Sequence, residues 1–157
     1  MEKKESKKEN LEFQAEVSKL LDLVANSLYS EREIFLRELI SNSADACEKL
    51  RYLSIKKEGL LGNNKNLSIY IRFSKNNKII EVEDNGIGMN KKDLIDNLGT
   101  IARSGTKEFF RGLTGDEKKD SDLIGQFGVG FYAAFIVSEK VEVISRKAGV
   151  GENEGVR

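Results

Sequence analysis

Glu38-Leu39-Ile40-Ser41-Asn42-Ser43-Ala44-Asp45-Ala46 sets polar side chains at helical spacing among apolar ones. At about 100° per residue, Glu38, Asn42 and Asp45 share a narrow stripe of one helix face. Leu36, Leu39, Ile40, Cys47 and Leu50 fall on the opposite side. A carboxylate and an amide one turn apart can hold a divalent cation and orient a water together. Taken alone, the same stripe also describes a solvated polar face. Ser30 with Glu33 three residues on has the form of a capping box, which predicts a helix from Glu31 to about Leu53, with Gly59 as a breaker beyond it.

Upstream, Val17, Leu20, Leu21, Val24 and Leu28 recur at helical spacing and predict a helix from Leu11 to near Ser30. Residues 1–10 are a charged run without an apolar segment, read as a disordered tail rather than a secretory signal. Downstream, Leu67, Ile69, Ile71 and Phe73 alternate and predict a strand over 67–73. A turn at Asn76-Asn77 and a returning strand over 78–83 follow. Asn90 is the expected cap of a short helix ending at Leu98, with Gly99 as its stop. Residues 101–122 are polar and weakly periodic, with a brief helix expected over 107–111. A segment of that length in a compact domain reads as a lid or a mobile loop. An apolar helix is expected over 131–137, a strand over 141–145 and a loop from 149 to the last residue.

Two further clusters could carry chemistry. Asp84-Asn85-Gly86-Ile87-Gly88-Met89 ends an apolar strand. Asp84 would offer an acceptor beyond the strand, and Gly86 and Gly88 would allow close approach of a ligand; an ordinary Asp-Asn-Gly turn has the same letters. Gly125-Gln126-Phe127-Gly128-Val129-Gly130-Phe131 leads straight into an apolar helix. Its N–H groups and the helix N-terminus could cradle phosphate, or the glycines could serve close helix packing. The spacing is neither the dinucleotide fingerprint nor a P-loop. Together the three clusters describe a nucleotide site without a P-loop.

Composition narrows the alternatives. The chain has 157 residues, a soft prior for one domain. Lys plus Arg and Asp plus Glu both number 26, which argues against a non-specific grip on nucleic acid. No apolar run is long enough for a membrane span. With no His and one Cys, the chain offers no Ser-His-Asp triad, no His proton shuttle and no Cys-based zinc site. Cys47 reads as a small buried core residue rather than a nucleophile, and a reduced cytoplasmic setting is the default.

The three boxes resemble those of the gyrase, heat-shock chaperone, histidine kinase and mismatch-repair ATPase superfamily. Ser27-Leu28-Tyr29-Ser30, Glu33 to Glu38, and Asn97-Leu98-Gly99-Thr100-Ile101-Ala102-Arg103-Ser104-Gly105-Thr106 resemble the N-terminal ATPase domain of heat shock protein 90, closest to the bacterial type. The resemblance covers residues 13–148 and implies an α+β fold. That fold is a two-layer sandwich in which a mixed, mostly antiparallel sheet carries helices on one face (the Bergerat-type ATP-binding fold). The ATP-binding domain would span 11–157 with a lid at about 101–124. In the family further strands follow, so the resemblance implies a domain incomplete at its C-terminal end.

The resemblance also implies roles. Glu38 would be the general base that activates the attacking water, and Asn42 would coordinate Mg²⁺. Asp84 would accept from the adenine amino group, with Gly88 and Met89 lining the base pocket and Asn97 and Leu98 facing the nucleotide. Arg103 and Ser104 would belong to the lid side of the site, Arg103 standing where the family often has Lys. Gly125, Gln126, Phe127, Gly128, Val129, Gly130 and Phe131 would hold the phosphates, and Asp45 would play a supporting part. The implied activity is ATP hydrolysis by a cytoplasmic, homodimeric chaperone acting on unfolded client proteins, with ATP and Mg²⁺ as ligands and neither nucleic acid nor membrane as partner. The alternatives are a nucleotide-binding fragment without turnover, or the ATPase domain of a mismatch-repair or topoisomerase protein.

Overall fold

The computed structural model describes residues 32–62, 66–99 and 130–157. The expected tail, the helix over 11–30, the brief helix over 107–111 and the lid lie outside the described residues. The elements run α1 (Ile34–Lys56), β1 (Ile69–Ser74), β2 (Ile79–Asp84), α2 (Lys91–Leu98) and two 3₁₀ segments, Gly130–Ile136 and Glu152–Glu154.

α1 is the organising element. It begins at Ile34 rather than Glu31, with Glu33 in the N-cap position and no side-chain cap. Glu33 therefore stands just ahead of the helix instead of closing a capping box from its first turn. The far end runs past Leu53 to Lys56, and Gly59, at φ +81°, breaks the chain where expected.

β1 and β2 form a two-stranded antiparallel sheet in which Ile69 faces Asp84 and Ser74 faces Ile79. That register leaves a four-residue connection, 75–78, in place of a tight Asn76-Asn77 turn, with Lys78 taking the left-handed conformation at φ +53°. Ile69, Ile71 and Phe73 share one face with Ile80, Val82 and Asp84, as period 2 demands. Burial is uneven along that face. Ile69, Val82 and Asp84 are half-buried at the end nearest α1, whereas Phe73, at the turn end, is 73% exposed. On the other face Arg72 pairs with Glu81 and Glu83, a cross-strand ion cluster.

α2 matches its expected bounds. Asn90 accepts from the Asp93 N–H at 2.8 Å and Asp93 accepts from the Asn90 N–H at 3.2 Å, a reciprocal cap that satisfies two donors. The apolar run after Gly130 is a 3₁₀ segment rather than an α-helix. Its last turn closes from Val137 N–H to the Ala134 carbonyl at 3.3 Å, and its consecutive small residues Ala133 and Ala134 are buried, which suits a tight winding laid closely on a neighbour. The neighbour is α1. The expected strand over 141–145 has alternating burial but no ladder partner among the described residues. An isolated bridge, Ser145 to Val156, and an ion pair between Glu142 and Arg157 tie it back on the chain. Helices and a small antiparallel sheet make this an α+β arrangement.

Candidate functional site

Two of the sequence clusters meet α1 at two places along its length. Gly130 sits so close to Glu38 that a β-carbon there would lie 2.6 Å from the Glu38 carboxylate. Gly86 lies flat on the helix backbone, where a β-carbon would come within 2.5 Å of the Ala46 carbonyl carbon. The Ile87 N–H donates to the Ala46 carbonyl at 3.0 Å, fixing the loop on the helix. At Gly86 only a bare backbone can approach the helix so near, whereas at Gly130 the nearest atom is the movable end of the Glu38 side chain.

On α1 itself Glu38 and Asn42 are half-buried, and Asp45 is only 2% exposed. The stripe is thus not a plain solvated face: its last member lies deepest. Glu38 also stands 3.9 Å from the Arg37 guanidinium, a long and partly exposed pair that carries little energy.

The loop from Asp84 to Met89 is held from several sides. The Asp84 carboxylate accepts from the Gly86 N–H at 2.9 Å, closing a tight turn. The Asn85 side chain accepts from the Ser68 N–H and donates to the Asn66 carbonyl, each at 2.7 Å, tying the loop to the residues ahead of β1. Gly88 takes φ +61°, and a β-carbon there would lie 1.9 Å from the Arg146 carbonyl oxygen. The Met89 N–H donates to Ser145 Oγ at 2.8 Å, and the Ala148 N–H to the Ile87 carbonyl at 2.8 Å. Lys147 reaches Asp93 of α2 at 2.7 Å. Burial opposes ionisation of Asp93, but the Lys147 ammonium and the Asn90 N–H outweigh it and hold the carboxyl below its ordinary value. At the other end of α2 the Tyr132 hydroxyl donates to the Leu98 carbonyl at 2.7 Å, and Phe131 meets Tyr132 edge to face.

Glu38, Asn42, Asp45, Asp84, Gly88, Met89, Asn97, Leu98, Gly130 and Phe131 lie among the described residues. Arg103, Ser104, Gly125, Gln126, Phe127, Gly128 and Val129 lie outside them. A cleft of about 480 Å³ opens between α1 and β1, lined by Ala44, Cys47, Glu48, Arg51 and Leu67 to Ile69, and it includes none of the expected site residues. Cys47 is half-buried rather than buried. Burial, followed by the nearby Asp84 charge, pushes its thiol up from the ordinary value and keeps it protonated, as expected of a residue that is no nucleophile.

The pattern of the histidine kinase-, DNA gyrase B- and HSP90-like ATPases matches residues 29–154. The chain belongs to that ATPase family. Among the ATPases of this kind, it is 56% identical over 152 residues to the chaperone protein HtpG of Bordetella parapertussis, covering 97% of this chain and 24% of that one. It is 58% identical over 154 residues to the HtpG of Rickettsia bellii, covering 95% and 25%, and 55% identical over 149 residues to that of Dechloromonas aromatica, covering 95% and 23%. The chain spans about a quarter of the length of these relatives. The resemblance to the heat shock protein 90 N-terminal domain is borne out. No helix among the described residues is long and apolar enough to cross a membrane.

What the sequence did not single out in this family site is its scaffolding: Asn85 as a clasp, Tyr132 as a tie to α2, and Ser145 and Lys147 as a strap over the loop. Their partners lie 17 to 56 positions away, beyond the reach of a local pattern. Only the cap at Asn90 was legible; the structure adds Asp93 as its partner within the same turn.

Proposed function

We propose that this chain binds ATP with Mg²⁺ and hydrolyses it, as the N-terminal ATPase domain of a chaperone of the heat shock protein 90 type. The observation that supports this most is the convergence on α1: the Glu38 carboxylate rests against Gly130, the end of the glycine-rich box, while the Asp84 loop rests on the same helix at Ala46. A base and a backbone cradle side by side suit phosphoryl transfer to water, where positioning and charge stabilisation do most of the work.

In this reading Glu38 takes a proton from the attacking water, and Asp45 supports the polar stripe from its buried position. Asp84 accepts from the adenine amino group, Gly88 and Met89 wall the base pocket, and Asn97 and Leu98 face the nucleotide. Gly125, Gln126, Phe127, Gly128, Val129, Gly130 and Phe131 hold the phosphates, with Arg103 and Ser104 on the lid side and the lid over about 101–124. The donor set suits a magnesium ion shared with phosphates rather than a closed protein cage. Asn42 and Glu38 offer hard oxygens from one helix, and no group of three His, Cys, Asp or Glu side chains able to hold a metal occurs among the described residues. Mg²⁺, when bound, neutralises phosphate charge, and Asn42 is the side chain that would hold it.

The same reading takes residues 11–157 as a two-layer ATP-binding domain with helices on one face of a mixed, mostly antiparallel sheet. The relatives' name, chaperone protein HtpG, supports chaperone work; the same reading extends it to unfolded client proteins, a homodimer and a cytoplasmic setting. Titration calorimetry with Mg-ATP, paired with a turnover assay, tests the proposal. Asp84→Asn abolishes binding, and unchanged binding by that variant sinks the site assignment. Binding without turnover in the intact protein leaves a nucleotide-binding module in place of an enzyme.

A further inference from the structure

We infer that Ser145 is a positioning residue for the Asp84–Met89 loop, fixing the base-binding backbone through its hydroxyl. The inference rests on the reading of that loop as the adenine site and adds the group that sets its shape.

Three observations meet at this residue. The Ser145 hydroxyl accepts from the Met89 N–H at 2.8 Å, the one donor at the loop's exit that would otherwise point out of any ladder or helix. Both backbone groups of Ser145 are committed elsewhere. Its N–H donates to the Val156 carbonyl at 2.9 Å and its carbonyl accepts from the Val156 N–H at 2.8 Å. The hydroxyl is therefore presented from a fixed backbone, and the loop must come to it. The residues that follow close over the loop: the Arg146 carbonyl fills the space a β-carbon on Gly88 would need, and the Ala148 N–H holds the Ile87 carbonyl.

The loop thus rests on α1 at Gly86 and Ile87 and meets the 145–148 strap at Ile87, Gly88 and Met89. Removing the hydroxyl leaves the Met89 N–H without its partner while leaving the strap's backbone bonds in place. The loop is then free to shift where the base would lie. A threonine keeps the oxygen; an alanine does not.

Ser145→Ala and Ser145→Thr are made in the intact protein beside Asp84→Asn. Losing one neutral hydrogen bond in the binding loop raises the Kd and KM for ATP about five- to tenfold in Ser145→Ala, with kcat within about twofold, and Ser145→Thr returns both to within about twofold. In the unaltered protein the Met89 amide exchanges with solvent more slowly than an open loop amide, and this readout holds even if the alanine variant fails to fold. Unchanged ATP affinity in Ser145→Ala overturns the inference, as do equal losses in the alanine and threonine variants, a change in melting temperature alone, or fast exchange at Met89. Loss of binding in Asp84→Asn with normal binding in Ser145→Ala removes the Ser145 role and leaves the adenine reading standing. Normal binding in Asp84→Asn removes both.

Discussion

The polar stripe of α1 and the Asp84–Met89 loop are both candidate ligand surfaces, yet they are built in opposite ways. Glu38, Asn42 and Asp45 are placed by one helix, so their mutual geometry follows from a helical repeat and from nothing distant. The loop has no regular structure, and its shape depends on Asn66 and Ser68 before it, Ala46 beneath it and Ser145, Arg146 and Ala148 over it. The first surface should tolerate changes elsewhere in the chain. The second should fail when any of several remote residues changes.

The largest effect expected is on the helix side. Glu38→Ala lowers ATP turnover by about two to four orders of magnitude, the range for a lost general base, while Mg-ATP binding measured by calorimetry stays within about twofold. Next comes Gly88→Ala, which sets a β-carbon against the Arg146 carbonyl at a positive φ. Because backbone meets backbone, the clash has no flexible side chain to absorb it, and a loss of about 2–4 kcal/mol is expected in urea unfolding. Gly130→Ala sharpens the comparison, since there the nearest atom is the mobile end of Glu38. Stability should fall by less than about 1 kcal/mol, while turnover drops roughly tenfold because the carboxylate is pushed off its place.

The smallest effect is on the strap. Asp93 is held below its ordinary value, so the Lys147 pair contributes stability above about pH 4, the unfolded carboxylate value, and that contribution is lost as pH falls through the lower folded value. Lys147→Met should cost about 0.5–1 kcal/mol at pH 7, given the partial exposure of both side chains, and less once the pH is below that folded value. Unfolding curves at pH 7 and in acid check it. A loss that persists undiminished in acid would assign the effect to packing instead of charge.

The same contrast explains what could be read ahead of the structure. Elements whose signal is local came through: α2 from Asn90 to Leu98 with its stop at Gly99, the break at Gly59, and the alternation that puts Ile69, Ile71 and Phe73 on one face. The errors fall where distant contacts decide. α1 begins three residues late because a cap signature cannot say which turn will be used. The run after Gly130 winds as 3₁₀ because it lies on α1 with consecutive small residues. Val141, Val143 and Ser145 alternate as a strand would, but alternation needs a partner to become a ladder, and Ser145 finds only Val156. The three boxes stood out by residue type and spacing as candidates. The clasp at Asn85 and the strap at Ser145 did not, because a serine or an asparagine becomes informative only when its partner is known.

The Tyr132 hydroxyl bond to the Leu98 carbonyl meets one of the last carbonyls of α2, which a helix leaves without a partner inside itself. Tyr132 belongs to the 3₁₀ segment that lies on α1, so one phenol links the end of α2 to the organising helix. A displacement of α1 is therefore passed to the C-terminal end of α2 through a single hydroxyl.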